Sequence, residues 1–152
     1  DEVAAQADAP VGEDLCGAIA LESLGFFDDR PGSQRFPLGG LGQIYGDRGD
    51  FVAFIGSLSS RDLLHRAIGS FRAVAGVRSE GAVLPLSVPG VGWSDHWAFD
   101  REGYPAFMVT DTAPFRNPSY HGPQDTAGGL DYRRMALVAD ALAAMVAALA
   151  DS

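Results

Sequence analysis

Three histidines carry most of the chemistry this sequence offers, and their settings differ. His121 stands in Asn117-Pro118-Ser119-Tyr120-His121-Gly122-Pro123-Gln124-Asp125-Thr126, a polar run that follows an apolar one. A neutral imidazole in such a loop suits zinc. A carboxylate four residues on, Asp125, can hold the other ring nitrogen and fix the tautomer. The same spacing also fits a loop-anchoring hydrogen bond. His96 closes the trio Ser94-Asp95-His96, which has the residue types of a hydrolytic triad. Adjacent residues rarely meet in triad geometry, however, and no G-x-S-x-G elbow is present. His65 belongs to a helix and is read as a surface residue. Glu22 interrupts the apolar run GAIALESLGFF. An unpaired buried charge costs several kcal/mol, so Glu22 is expected to face a polar cavity at a strand end. Every basic residue is Arg, which excludes lysine Schiff-base chemistry. There is no P-loop, dinucleotide fingerprint or C-x-x-C pair.

These residues need elements to position them. The chain has 152 residues, enough for one domain, with residues 1–16 read as a linker and 17–152 as the folded part. Apolar runs predict strands over 17–27, 51–58, 82–88 and 105–110. A helix starts at Ser59 or Ser60, with Leu64, Ala67, Ile68, Phe71 and Val74 on its apolar face. A last helix is capped by Asp131 and presents Met135, Val138, Leu142, Met145 and Leu149 to the core. Two long polar segments, 28–50 and 111–129, remain as loops, and loops of this length are often functional. Strands alternating with helices imply an α/β fold with a mostly parallel sheet, whose ligands sit beyond the carboxyl ends of the strands. Glu22, Asp95 and residues 111–121 all fall at or just after predicted strands.

The formal net charge of −9 argues against nucleic acid and against an anionic membrane surface. No apolar run approaches the roughly 20 residues of a membrane span. Cys16 is the single cysteine, so no intrachain disulfide forms. The chain begins Asp-Glu, without a basic or apolar signal pattern.

Read in order, the motifs resemble the co-catalytic zinc aminopeptidases, a family that includes bacterial leucyl aminopeptidases and has glutaminyl cyclases as relatives. They are Ile19-Ala20-Leu21-Glu22-Ser23-Leu24-Gly25-Phe26, Pro31-Gly32-Ser33-Gln34, Ser94-Asp95-His96-Trp97-Ala98-Phe99, Gly103-Tyr104-Pro105-Ala106, Val109-Thr110-Asp111-Thr112-Ala113, Phe115-Arg116-Asn117, Tyr120-His121, Asp125-Thr126 and Leu130-Asp131-Tyr132. The resemblance implies a mixed, mostly parallel sheet flanked by helices, incomplete at its amino-terminal side. It also implies two zinc ions, with Glu22 a ligand to one and His121 a ligand to the other. Tyr120 would stabilise the oxyanion, and the substrate would be a peptide cut at its amino-terminal bond. Asp95, His96, Asp111, Arg116 and Asp125 would organise the loops or bind substrate. A secreted or periplasmic setting is slightly favoured, on the resemblance alone.

The residues before Glu22 contain no His and lack the His-Tyr-Asp, Asp-Asp-Asn and Glu-Glu patterns that supply the other ligands and the general base in that family. The chain is therefore expected to be inactive by itself, with the missing amino-terminal part of the same domain as a possible partner. Two other readings stay open: a family remnant acting as an interaction module, and a glutaminyl cyclase-like acyl transferase.

Overall fold

The computed structural model describes residues 15–151, so most of the predicted linker lies outside the described residues. Four strands form one sheet in the order β1-β4-β2-β3: β1 (Ala18–Glu22), β2 (Phe51–Gly56), β3 (Arg78–Val83) and β4 (Ala106–Thr110). β1 runs parallel to β4 and β2 parallel to β3, while β2 and β4 are antiparallel. The sheet is thus mixed.

The two central strands are apolar along almost their whole length because both faces are covered, as in other α/β sheets. Their alternation divides the labour. Val52, Phe54, Phe107 and Val109 face one side and are completely buried. On that side they meet α2 (Arg61–Val74) and α5 (Tyr132–Ala150), which pack against each other through residues that include Leu64, Phe71, Val138 and Met145. Each such side chain contributes about 1.5–3 kcal/mol by leaving water. Asp131 caps α5 by accepting the Arg134 main-chain N–H at 2.9 Å. Met135, Val138, Leu142, Met145 and Leu149 all lie on the inward side of that helix, with Val138 and Met145 the most deeply buried.

The opposite face presents Ala53, Ile55, Met108 and Thr110. Among the described residues, no long helix covers it. Three irregular segments do so instead: 34–45, which includes the short helix α1 (Leu41–Tyr45); 84–93; and 112–120, which includes α4 (Ala113–Arg116). α3 (His96–Arg101) comes after the second of these.

Two expectations are corrected. β1 ends at Glu22, not Phe27, because residues 23–26 leave the ladder in a tight turn. The third strand is Arg78–Val83, not 82–88. β3 is an edge strand paired only through β2, so its backbone register decides it, and polar Arg78, Ser79 and Glu80 are tolerated. Beyond it, Pro85, Pro89 and Gly90 turn the chain, and Leu84 lines the space between the sheet and the irregular segments. No described helix is long and apolar enough to cross a membrane.

Candidate functional site

β1 and β4 end side by side, with Glu22 opposite Thr110. Among the described residues only three that are not glycine adopt a left-handed backbone: Ser23 at φ 51°, Thr112 at φ 58° and His121 at φ 57°. Each comes directly after a residue singled out from the sequence: Glu22, Asp111 and Tyr120. Such conformations cost about 1–3 kcal/mol each and cluster where function demands a fixed geometry. Their convergence on one end of the sheet marks the site without reference to any motif.

A cavity opens there between the sheet and the three loops. Its polar lining comprises Glu22, Thr110, Thr112 and Tyr120, where β1 and β4 end, and Gln34, Arg35, Tyr45 and Glu80 elsewhere on the wall. The rest is largely apolar: Ala53, Ile55 and Met108 from the sheet, with Phe36, Leu84, Val91 and Phe115 from the loops. Its volume of about 100 Å³ is several times the ~10–15 Å³ that one water needs, so it has room for a side chain. Trp93 is stacked on Phe115, with centroids 6.3 Å apart, and stays 62% exposed at the cavity wall. The sequence-based expectation was a polar cavity beside Glu22. The observed one is lined mostly by apolar side chains.

Tyr120 lines this cavity and stacks on the ring of His121. Burial first, then the charges of Glu22, Asp111 and Asp125, push its phenol above the ordinary tyrosine value. It is therefore protonated at neutral pH and available as a donor. His121 is exposed. Asp125 accepts the His121 main-chain N–H at 3.3 Å and the Asn117 side-chain amide at 2.9 Å. The hydrogen bond from His121 to this carboxylate thus comes from its backbone, not from its ring as the spacing suggested.

Asp111 is 1% exposed. Its Oδ2 accepts the main-chain N–H groups of Gly25 (2.9 Å) and Phe26 (2.7 Å), while Oδ1 makes no hydrogen bond. Burial pushes its carboxyl up to about 6, opposed by the Phe26 N–H, Arg116, and the Gly25 and Ala113 N–H groups. Arg116 is equally buried, and burial lowers its guanidinium to about 10 against the pull of Asp111 and Asp50. It donates to Gln34 Oε1, Phe26 O and Phe51 O and lies over the Phe51 ring. Arg116 thereby ties the start of the long 28–50 segment to β2. Gln34, whose role the sequence did not reveal, completes this junction: its Oε1 also accepts from Thr112, and its side-chain amide donates to Arg35 O.

The remaining candidates lie further out. His96 is buried, with Nε2 2.7 Å from Val91 O, and so anchors the loop that supplies Val91 to the cavity wall. Burial lowers its pKa and favours the neutral ring. Asp95 is exposed at the start of α3, makes no side-chain cap and does not line the cavity. His65 is exposed on α2, as expected.

With that geometry in place, residues 46–146 match Peptidase family M28. The chain belongs to this family. The M28 match includes Tyr120 and His121; Glu22 lies before it. The chain is also similar to the protein named Uncharacterized protein YfbL from Escherichia coli (strain K12), 38% identical over 122 residues, covering 80% of this chain and 38% of that one. It thus spans about two fifths of that relative. Its fold is similar to a crystal structure of LapA from Legionella, with a TM-score of 0.59, 17% identity, and coverage of 88% of this chain and 32% of that one.

M28 peptidases are generally zinc-dependent. Among the described residues of this M28 chain, no three His, Cys, Asp or Glu side chains lie together as a metal site. Glu22 lines the cavity, while His121 is exposed and stacked on Tyr120; two such donors do not fit a catalytic zinc, which takes three protein ligands.

Proposed function

We propose that this chain forms the substrate-binding side of an M28 exopeptidase that removes an amino-terminal residue bearing a large apolar side chain. The observation that carries this reading is the cavity: lined largely by apolar side chains, with Glu22, Thr110, Thr112 and Tyr120 where β1 and β4 end and Gln34, Arg35, Tyr45 and Glu80 elsewhere on its wall. An apolar side chain enters and loses water, which favours binding in proportion to the area buried. The substrate carbonyl then lies beside Glu22 and Tyr120. There the protonated Tyr120 donates a hydrogen bond that strengthens as negative charge develops on the carbonyl oxygen. The loop anchored by His96 and the junction of Gln34 with Arg116 hold the cavity walls.

In this reading Glu22 and His121 each give one ligand to a different zinc ion, and the other ligands come from beyond the described residues. The test is hydrolysis of leucine, phenylalanine and glutamate p-nitroanilides by the natural full-length protein with zinc. Preference for leucine or phenylalanine supports the proposal; preference for glutamate or absence of turnover overturns it. The incomplete donor set favours one other reading, a non-catalytic interaction module. Failure of the full-length protein to retain zinc would favour that module.

A further inference from the structure

Glu22 is the last residue of β1, and the ladder that orients it stops there. Up to that point its backbone is fixed by the pairing of Glu22 with Thr110. Beyond Glu22 the chain leaves the ladder with Ser23 in the left-handed region, a conformation disfavoured for a residue with a Cβ unless neighbouring groups hold it. Asp111 supplies most of the hydrogen bonds that hold it, beside those from the Asp131 main-chain N–H to Gly25 O and from Arg116 to Phe26 O. The Asp111 main-chain N–H donates to Ser23 O at 2.6 Å, and Asp111 Oδ2 accepts the N–H groups of Gly25 and Phe26. Three hydrogen bonds from a single residue therefore fix three of the four residues after Glu22. A Cβ at Gly25 would come within 2.6 Å of Met135 Sδ, so the Met135 side chain packs directly against this segment.

The arrangement is costly for folding alone. Asp111 is buried, one carboxylate oxygen has no hydrogen-bond partner, and no Arg lies within salt-bridge distance of it among the described residues. Leaving a buried acceptor unsatisfied costs about 1–3 kcal/mol. Asp111 follows Thr110, the strand partner of Glu22, and its field also reaches Tyr120.

We propose that Asp111 is a positioning residue, whose carboxylate locks the 23–26 turn so that Glu22 stays directed into the cavity beside Tyr120. The functional consequence rests on the peptidase reading; the structural one does not. Misplacement of a reacting group by about 1 Å costs up to a hundred-fold in rate. Asp111→Ala removes both acceptor bonds. Asp111→Asn keeps the shape and one acceptor oxygen, and guards against loss of folding in the alanine variant.

The experiment has two arms. In the first, main-chain amide resonances of residues 22–26 are followed in wild type, Asp111→Ala, Asp111→Asn and Leu142→Ala. The last variant weakens the α2–α5 core and serves as a control for general destabilisation. The turn resonances should move in Asp111→Ala, move less in Asp111→Asn, and stay fixed in Leu142→Ala. Unchanged resonances in Asp111→Ala, or equal changes in Leu142→Ala, overturn the proposal. In the second arm, leucine p-nitroanilide turnover by the zinc-supplied full-length protein is measured for Asp111→Ala, Glu22→Ala and the double variant. Asp111→Ala should lower kcat by about ten- to a hundred-fold with KM nearly unchanged. It should add little in the Glu22→Ala background, because the two act as one unit. Fully additive losses overturn the positioning role. If wild type shows no turnover, the peptidase reading falls, and the turn resonances alone decide the role of Asp111.

Discussion

The rings of Tyr120 and His121 lie nearly parallel, with centroids 3.9 Å apart and an interplanar angle of 17°. Consecutive residues stack this way because His121 takes a left-handed backbone, which folds its ring back over its neighbour. The stack fixes the Tyr120 ring independently of its hydroxyl. Tyr120→Phe therefore keeps the wall of the cavity and removes only the donor. In the full-length zinc-supplied protein, kcat should fall by about ten- to a thousand-fold with little change in KM, since an oxyanion donor acts mainly in the transition state. Unchanged kcat in steady-state kinetics on an aminoacyl anilide would remove Tyr120 from the chemistry.

Arg116 is the residue on which the cavity wall depends most. It makes bonds to Gln34, Phe26 and Phe51 through two of its nitrogens, a fork that lysine cannot reproduce. Arg116→Lys should destabilise the fold by about 3 kcal/mol, since hydrogen bonds to a buried charged group are lost and acceptors are left unpaired. It should also raise KM for apolar substrates, because Phe36 lies two residues beyond Gln34 and lines the cavity. Denaturant unfolding reads the first effect and anilide kinetics the second. Equal stability of the lysine variant would show that the fork is dispensable.

How much of this was legible in the sequence depends on the range over which each feature is determined. β2, β4, α2 and α5 arise from local periodicity, and their boundaries agree within about two residues. Glu22 could be singled out because a carboxylate is unusual in its apolar run, whereas Tyr120 was reached only through the family resemblance. β3 was displaced because an edge strand takes its register from its partner, and its own side chains carry almost no apolar signal. The tie between Gln34 and Arg116 spans 82 positions, and nothing in either local sequence announces it. Asp95 looked equivalent to Glu22 by position after a predicted strand. The strand preceding it ended earlier than predicted, which left Asp95 on an exposed turn away from the cavity.

Asp111 gives the protein an unusual response to pH. Its carboxyl titrates near 6 in the fold and near 3.8 when unfolded, so the folded state binds its proton more tightly. Its contribution to stability is full below about pH 4 and is lost as pH rises through about 6. Buried His96 works in the opposite direction, because its lowered pKa costs stability as pH falls below the unfolded value. Comparison with Asp111→Asn isolates the first effect. Between pH 4 and 7 the asparagine variant should gain on wild type by about 2–3 kcal/mol in denaturant unfolding. A difference that does not vary with pH would mean that Asp111 titrates normally.

His96 and His121 should separate cleanly. His96 is enclosed and its Nε2 is engaged with Val91 O, so His96→Ala should lower Tm and leave zinc retention intact. His121 is exposed, so His121→Ala should barely change Tm. In the full-length protein it should reduce bound zinc. Metal analysis after dialysis, beside thermal unfolding, reads both. Loss of zinc in His96→Ala with retention in His121→Ala would reverse the assignment.

The 152-residue chain by itself should bind zinc weakly and show no peptidase activity. Glu22 lines the cavity, His121 is exposed beside Tyr120, and no described group of three His, Cys, Asp or Glu side chains forms a metal site. If each serves a different ion, one protein ligand per ion leaves most of the coordination to water. Metal-binding free energy comes from replacing that water by several prearranged ligands, and the affinity should fall accordingly. The strand edge of β1 bears on the same question. Leu21 is 59% exposed beside an apolar groove formed with α5, so the isolated chain should also tend to associate through that edge. Calorimetric zinc titration and leucine p-nitroanilide turnover, run on this chain and on the natural full-length protein, give the comparison. Weak binding and no turnover here, with both present in the longer protein, is the expected result. Tight binding of two zinc ions by the 152-residue chain, with measurable turnover, would show that its own residues complete the site.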